Sequence, residues 1–152
     1  MRKTIYILLT LLGLCSFAGC SSSDDAVPAL YGQLTGEWHL TTWNGTTPAS
    51  FDAYMALNAD GTFTIYQKIE QANYQKFVGS YRLSGTLLSG IYSDNTPWGS
   101  TYSVVIDDTN KLTLTSNSPV VEVSVYIKAA IPDDVKNGAT TMSVRSVGRR
   151  LL

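Results

Sequence analysis

The residues that could do chemistry are few. His39 is the sole histidine of the 152-residue chain. A single His cannot build a His-based metal cluster, and the Asp and Glu residues follow no ligand spacing. No Ser lies in a strand–turn–helix elbow, and no Gly-rich loop precedes a helix to cradle phosphate. Asp107-Asp108 and Asp133-Asp134 lack the alternating oxygen ligands of a calcium loop, and read as a turn and a helix start. No catalytic residue, metal or cofactor is therefore expected. The aromatic residues offer more. Trp43, Tyr54, Tyr66, Tyr74, Tyr92, Trp98 and Tyr102 can pack a core, line a cavity or stack on sugar rings.

The second chemical feature is Cys20. Met1-Arg2-Lys3 is a positive start, and Ile5 to Leu14 is an apolar stretch of roughly ten residues. That is short of the about 20 residues a membrane-spanning helix needs, but suits the core of a secretory signal. Phe17-Ala18-Gly19-Cys20 follows and resembles the lipobox of bacterial lipoproteins. The resemblance implies cleavage before Cys20 and acylation of its thiol. Cys15 is the one other cysteine and would leave with the leader, so no disulfide can form in the mature chain. Two or more acyl chains, at about 0.8 kcal/mol per buried methylene, would hold the chain stably to a membrane.

Ser21-Ser22-Ser23-Asp24-Asp25 offers nothing apolar and reads as a solvated tether. It also resembles the acidic run that marks some lipoproteins for the outer face of the outer membrane. Position 21 is Ser, so the Asp that retains lipoproteins at the inner membrane is absent there. Outer-membrane location with surface exposure is the expectation, and a plain spacer is the other reading. Fully extended, residues 21–31 would reach roughly 35–40 Å.

These features sit on a chain with 15% charged and 11% aromatic residues and a formal net charge of -1. No basic face of the kind nucleic acid requires is visible. The remainder reads as about eight short strands separated by turns. Glu37 to Trp43 is the first, with Trp38, Leu40 and Thr42 on one face and His39 on the other. A strand from Ala53 to Leu57, the Asn58-Ala59-Asp60-Gly61 turn and a strand Thr62–Ile69 form a hairpin. Further strands are expected at Tyr74–Leu83, Thr86–Tyr92, Thr101–Ile106, Lys111–Thr115 and Val120–Lys128. Neighbouring strands joined by short turns pair antiparallel, and eight of them can close into a barrel. Such a barrel is filled by side chains or holds one small ligand.

Pro132 to Gly138 reads as a short helix, and Ala139 to Leu152 has no clear period. That tail is either disordered or docked through Val144, Val147, Leu151 and Leu152, and its arginines read as a solvated cluster. The expected organisation is a signal peptide over 1–19, a lipidated tether over 20–31, a barrel over 32–130, and a helix and tail over 131–152.

Gly36-Glu37-Trp38 opens the first strand. With Asn58-Ala59-Asp60-Gly61-Thr62-Phe63, Gly79-Ser80-Tyr81, Leu88-Ser89-Gly90-Ile91-Tyr92-Ser93 and Tyr126-Ile127-Lys128, it resembles bacterial lipocalin-like lipoproteins. The resemblance covers roughly residues 32 to 130. It implies an all-β, lipocalin-like barrel in which Trp38 packs across the closed end beneath a basic residue of the last strand, here Lys128. A binding module for a small apolar or amphipathic ligand is the leading functional expectation. The chain is expected to be a monomer. Trp98, in a Pro/Gly loop, is the leading ligand-contact residue at the barrel mouth, with Trp43, Tyr66 and Tyr102 beside it. A surface carbohydrate-contact or adhesion module and a structural envelope lipoprotein are the alternatives, and an enzyme comes last.

Overall fold

The computed structural model describes residues 26–142 and 150–152. The leader, Cys20, the Ser/Asp run, Val144, Val147, Arg145 and Arg149 lie outside the described residues.

Eight antiparallel strands follow one another in order: β1 (Gly36–Trp43), β2 (Phe51–Leu57), β3 (Thr62–Ile69), β4 (Gln75–Ser84), β5 (Leu87–Tyr92), β6 (Tyr102–Ile106), β7 (Lys111–Ser116) and β8 (Val123–Lys128). Each strand pairs with its neighbour, and β8 returns to pair with β1, so the barrel is closed. Helix α1 (Ala26–Leu34) precedes it. Helix α2 (Asp133–Gly138) follows, and β9 (Thr140–Thr141) adds a short parallel pairing outside β4.

Alternation explains most of the interior. Trp38 and Leu40, then Ala53, Met55 and Leu57, then Phe63 and Ile65 are all buried on one side of the wall. The β2–β3 turn forms as its residue types dictate. Gly61 takes φ +81°, and the Asp60 carboxylate accepts from the Thr62 amide at 2.9 Å and the Thr62 hydroxyl at 2.7 Å. β2 starts at Phe51, two residues before the expected Ala53, because Phe51 pairs with Ile69.

The closed end is built around Trp38. Its Nε1 donates to the Leu34 carbonyl at 2.8 Å. The Lys128 ammonium stands 5.1 Å from its ring centroid and donates to the Gln33 carbonyl at 3.2 Å. Gly36 has φ +131°, and a Cβ there would lie 2.9 Å from Lys128 Cε. The glycine two before the tryptophan is thus fixed by backbone conformation and by the lysine above it.

The structure departs from the expectations at several points. Residues 26–31 belong to α1 rather than to an extended tether. Pro28 falls in the first turn, where a backbone N–H has no intrahelical partner to lose. Leu30 and Leu34 recur on one face, Leu34 is fully buried, and Tyr31 stacks on Tyr81 at 5.9 Å. The final strand begins at Val123, and Val120 and Val121 lie in the preceding loop with 76% and 60% exposure. The alternating valines of β8 point away from the interior, because the pairing Leu40↔Tyr126 sends Ser124 and Tyr126 inward. Pro132 caps α2 instead of opening it.

β5 and β6 pair only at Leu87↔Ser103 and Leu88↔Tyr102, then part. The loop between them folds back on β5, with the Trp98 amide donating to the Gly90 carbonyl at 2.9 Å. The Trp98 ring then covers Gly90, where a Cβ would sit 2.3 Å from Trp98 Cε2. Gly90→Ala should therefore destabilise the barrel by about 1–3 kcal/mol. The check is a lower urea midpoint with an unchanged slope; a midpoint equal to that of the parent would contradict the packing described.

Candidate functional site

The barrel is filled differently at its two ends. At the closed end the inward positions carry Trp38, Leu57, Phe63 and Leu112. Toward the open end they carry Gln67, Ser116 and Ser124, small or polar residues that are nevertheless buried. Polar groups are buried only where something bonds them or covers them. Ser116 is bonded within its own loop, accepting the Glu122 amide at 2.8 Å, and Gln67 is covered by the segment Arg150-Leu151-Leu152.

Leu151 and Leu152 are 6% and 4% exposed and belong to the main apolar core. The Leu151 amide donates to Gln67 Oε1 at 2.8 Å. The Tyr92 hydroxyl donates to the Leu152 carbonyl at 2.7 Å. Arg150 lays its guanidinium over the Tyr92 ring, 4.3 Å from the centroid, and lies 5.6 Å from that of Phe77. The same guanidinium pairs with the Asp94 carboxylate, whose side chain is only 7% exposed. Asp94 also accepts the Thr96 amide at 2.9 Å, which fixes the Ser93–Thr96 turn. Arg150 and then Thr96 hold the Asp94 carboxyl well below the usual carboxylate range. Burial pushes the Tyr92 phenol up, so it stays a neutral donor. A space of about 90 Å³ remains between Trp43, Phe51, Ile69, Glu122, Arg150 and Leu151.

The residues expected to contact a ligand are scattered. Trp98 is 5% exposed and sits inside the barrel against Phe63 and Tyr102, so its expected place at an open mouth is corrected. Pro97 and Gly99 are exposed as expected, but Pro97 bridges to Ile91 and the Trp98 side chain between them turns inward. The Trp98 Nε1 is buried with no hydrogen-bond partner among the described residues. Tyr102 is likewise buried, and burial, then Glu122, pushes its phenol up to about 12. Tyr66 lies on the outer face of β3 and packs with Ile131 and Val135 of the α2 region, so it is not in the mouth. Trp43 alone reaches the open end, half-buried and edge-on to Phe51 at 5.7 Å. The structure therefore keeps Trp98 and Tyr102 together in the core, 6.0 Å apart, and places Tyr66 and Trp43 away from them.

His39 faces outward, as its strand position requires. Its ring stacks on Tyr54 at 4.2 Å, and Nε2 lies 2.8 Å from Asp52 Oδ1. The other Asp52 oxygen accepts the Tyr74 hydroxyl. Burial, then Asp52, raises the Tyr74 phenol above its ordinary value. This group ties β1, β2 and the start of β4 together beside an open groove of about 550 Å³ that also includes Pro48, Ser50 and Lys68. Among the described residues, no three His, Cys, Asp or Glu side chains gather as metal ligands. Asp107 is committed to its turn, accepting from Thr109 and Lys111 amides at 3.0 Å each.

A family model described as a lipocalin-like domain matches residues 34–118. The chain belongs to the lipocalin-like domain family. The match runs from the end of α1 through β7, and β8 closes the lipocalin-like barrel just beyond it. No curated protein matches the chain. Among solved structures, one described as a REP1-NXSQ fatty acid transporter is similar to it at 13% identity and a TM-score of 0.39. That match covers 66% of this lipocalin-like chain and 99% of the other.

Sequence reasoning named Tyr92 among the aromatics that could line a cavity, but missed Asp94, Gln67 and the role of Arg150, which it read as part of a solvated cluster. The signal was available in β3, where Phe63, Ile65, Gln67 and Ile69 share the inward face. A Gln in such a stripe demands a partner inside the barrel. The Asp94–Arg150 pair sets the pH response of the segment. A depressed carboxyl contributes stability that is present above its unfolded value near 3.9 and lost as pH falls through the folded value. Hydrogen exchange at the Leu151 amide should therefore show a pH-independent protection factor between about pH 5 and 8. Asp94→Asn should lower that protection throughout this window; equal protection in the variant would show that the pair does not hold the segment.

Proposed function

We propose that this lipocalin-like chain is a non-catalytic outer-membrane lipoprotein, held by lipid on Cys20, that receives a small apolar or amphipathic ligand in the open end of its barrel. The observation that carries the ligand reading is the seat taken by Leu151 and Leu152. Two side chains from beyond the strands lie buried there, on a wall that includes Tyr92, Phe77 and Gln67. An open end that accepts two leucines accepts an apolar chain.

A ligand has to displace the segment to enter. Drug-sized ligands fill pockets of about 300 Å³ or more, and about 90 Å³ is left beside Leu151. The energetics permit displacement. Burying two leucines is worth about 3–6 kcal/mol. Ordering the backbone of three residues costs about 3–6 kcal/mol. The two terms nearly cancel, so the segment is held chiefly by the Arg150–Asp94 pair and its two hydrogen bonds, and a ligand that replaces these can shift the balance.

The membrane part of the reading rests on the lipobox-like Phe17-Ala18-Gly19-Cys20 and on the Ser/Asp run after it. The family's binding role and the structural commitments of His39, Asp52 and Tyr74 support a non-catalytic role.

Two measurements test the proposal. Native mass spectrometry of the purified chain with added dodecanol should show a one-to-one complex, and Leu151 amide protection should fall as it forms. Retained protection in a saturated complex would place the ligand elsewhere, and no complex would remove the ligand reading. In cells, labelled palmitate should enter the chain and be lost with Cys20→Ser; incorporation that survives the substitution would remove the anchor.

A further inference from the structure

The open end is more than apolar. Four of its groups recognise specific features of the segment they hold. Asp94 takes a cation, and the faces of Tyr92 and Phe77 lie alongside that cation. Gln67 Oε1 takes a backbone N–H. The Tyr92 hydroxyl offers a donor to a backbone carbonyl. Between these groups lies the space for two apolar side chains. Every one of these features belongs to an extended peptide reading basic, apolar, apolar.

We propose that the mouth of the barrel is a peptide-binding site for a basic residue followed by two apolar residues, and that Arg150-Leu151-Leu152 is its resident occupant. This rests on the reading of the open end as a ligand site and names the ligand class. The charge argument separates this class from a fatty acid. When Arg150 leaves, the Asp94 carboxylate, 7% exposed beneath it, has lost its paired cation. An incoming carboxylate would meet that charge, whereas a guanidinium or ammonium replaces what was lost. A cation also regains the two ring faces. A neutral alkyl chain fills the apolar space but does not replace the acceptor that the Tyr92 hydroxyl now holds, a penalty a peptide avoids.

The site has the properties of a reversible plug. A segment in the same chain competes at high effective concentration, so a peptide in trans binds only weakly until the resident leaves. Substitutions that unseat the resident should raise affinity for the free peptide.

The test uses the full chain and its Arg150→Ser/Leu151→Ser/Leu152→Ser variant, titrated by calorimetry with four probes. These are acetyl-Arg-Leu-Leu-amide, acetyl-Glu-Leu-Leu-amide, dodecylammonium and dodecanoate. The Arg peptide should bind the variant at least about tenfold more tightly than it binds the full chain, and at least about tenfold more tightly than the Glu peptide binds the variant. Adding Asp94→Asn to the variant should erase the preference for Arg over Glu. Equal binding of the two peptides, or a preference that survives Asp94→Asn, overturns the cation site. Binding of dodecanoate or dodecylammonium without either peptide overturns the peptide inference and leaves the apolar-ligand reading standing. Binding of no probe overturns both. Should the triple variant fail to fold, the full chain decides: millimolar Arg peptide should lower Leu151 amide protection more than the Glu peptide does, and equal effects overturn the proposal.

Discussion

A closed ribbon of strands must fill the space it encloses, and everything else in this molecule follows from how it does so. Eight strands enclose a volume that side chains can just occupy. The wall has no free edge, so strands cannot slide to relieve a mismatch. At the Trp38 end the strands supply enough bulk themselves. Trp38, Tyr126, Phe63 and Leu114 are essentially inaccessible to solvent there or in the layer above. At the other end they supply Gln67, Ser116 and Ser124, and β5 carries a glycine at 90. The shortfall is met by parts of the chain that are not strand. Trp98 turns in from a loop to cover Gly90, and Leu151-Leu152 enters from the far end of the described chain.

The wall's own geometry explains which parts are recruited. β5 and β6 share only two paired positions before they diverge. Beyond them the barrel has no hydrogen-bonded seam, and the 93–101 loop makes one by pairing Pro97 with Ile91. The same loop carries Asp94 to the rim, where it meets Arg150. One departure from regular pairing thus places both the tryptophan that fills the core and the carboxylate that holds the plug. β9 contributes from the other side. It pairs with Gln75 and Lys76 of β4, which brings the chain back to the open end before residues 150–152.

Period-two alternation made the strands legible, and turn chemistry made their ends legible. Phe63 and Ile65 lie on the face their spacing dictates, and Gly61 turns the hairpin that Asn58-Ala59-Asp60-Gly61 announces. Gly36, Trp38 and Lys128 hold the geometry that the lipocalin-like resemblance implied. Alternation alone left the facing of the last strand open. Val123, Val125 and Ile127 alternate cleanly, and β1 pairing turns them outward and gives the interior to Ser124 and Tyr126. Local pattern cannot see that choice, because either face of a strand satisfies it until a neighbour fixes the register. Trp98 was misplaced for a related reason. Pro97 and Gly99 mark an exposed loop, but an exposed loop can still turn one side chain inward, and Trp98 is 5% exposed. The inward glycine at position 90 was the sign that a large side chain had to come from elsewhere.

The open end acquires function from the way it compensates for its missing bulk. Strand residues that fill a barrel cannot leave without unfolding it, since each is fixed in the ladder on both sides. Among the described residues, 150–152 are held differently: by two apolar side chains, two hydrogen bonds and one ion pair, with no ladder. Their release would expose Gln67 and Asp94, polar groups that water can solvate, and would leave the eight-strand pairing in place. A core built from apolar strand residues at that end would be more stable and permanently shut. Polar inward positions covered by a detachable apolar segment give the opposite balance, in which the barrel keeps its fold whether its mouth is filled from within or from outside.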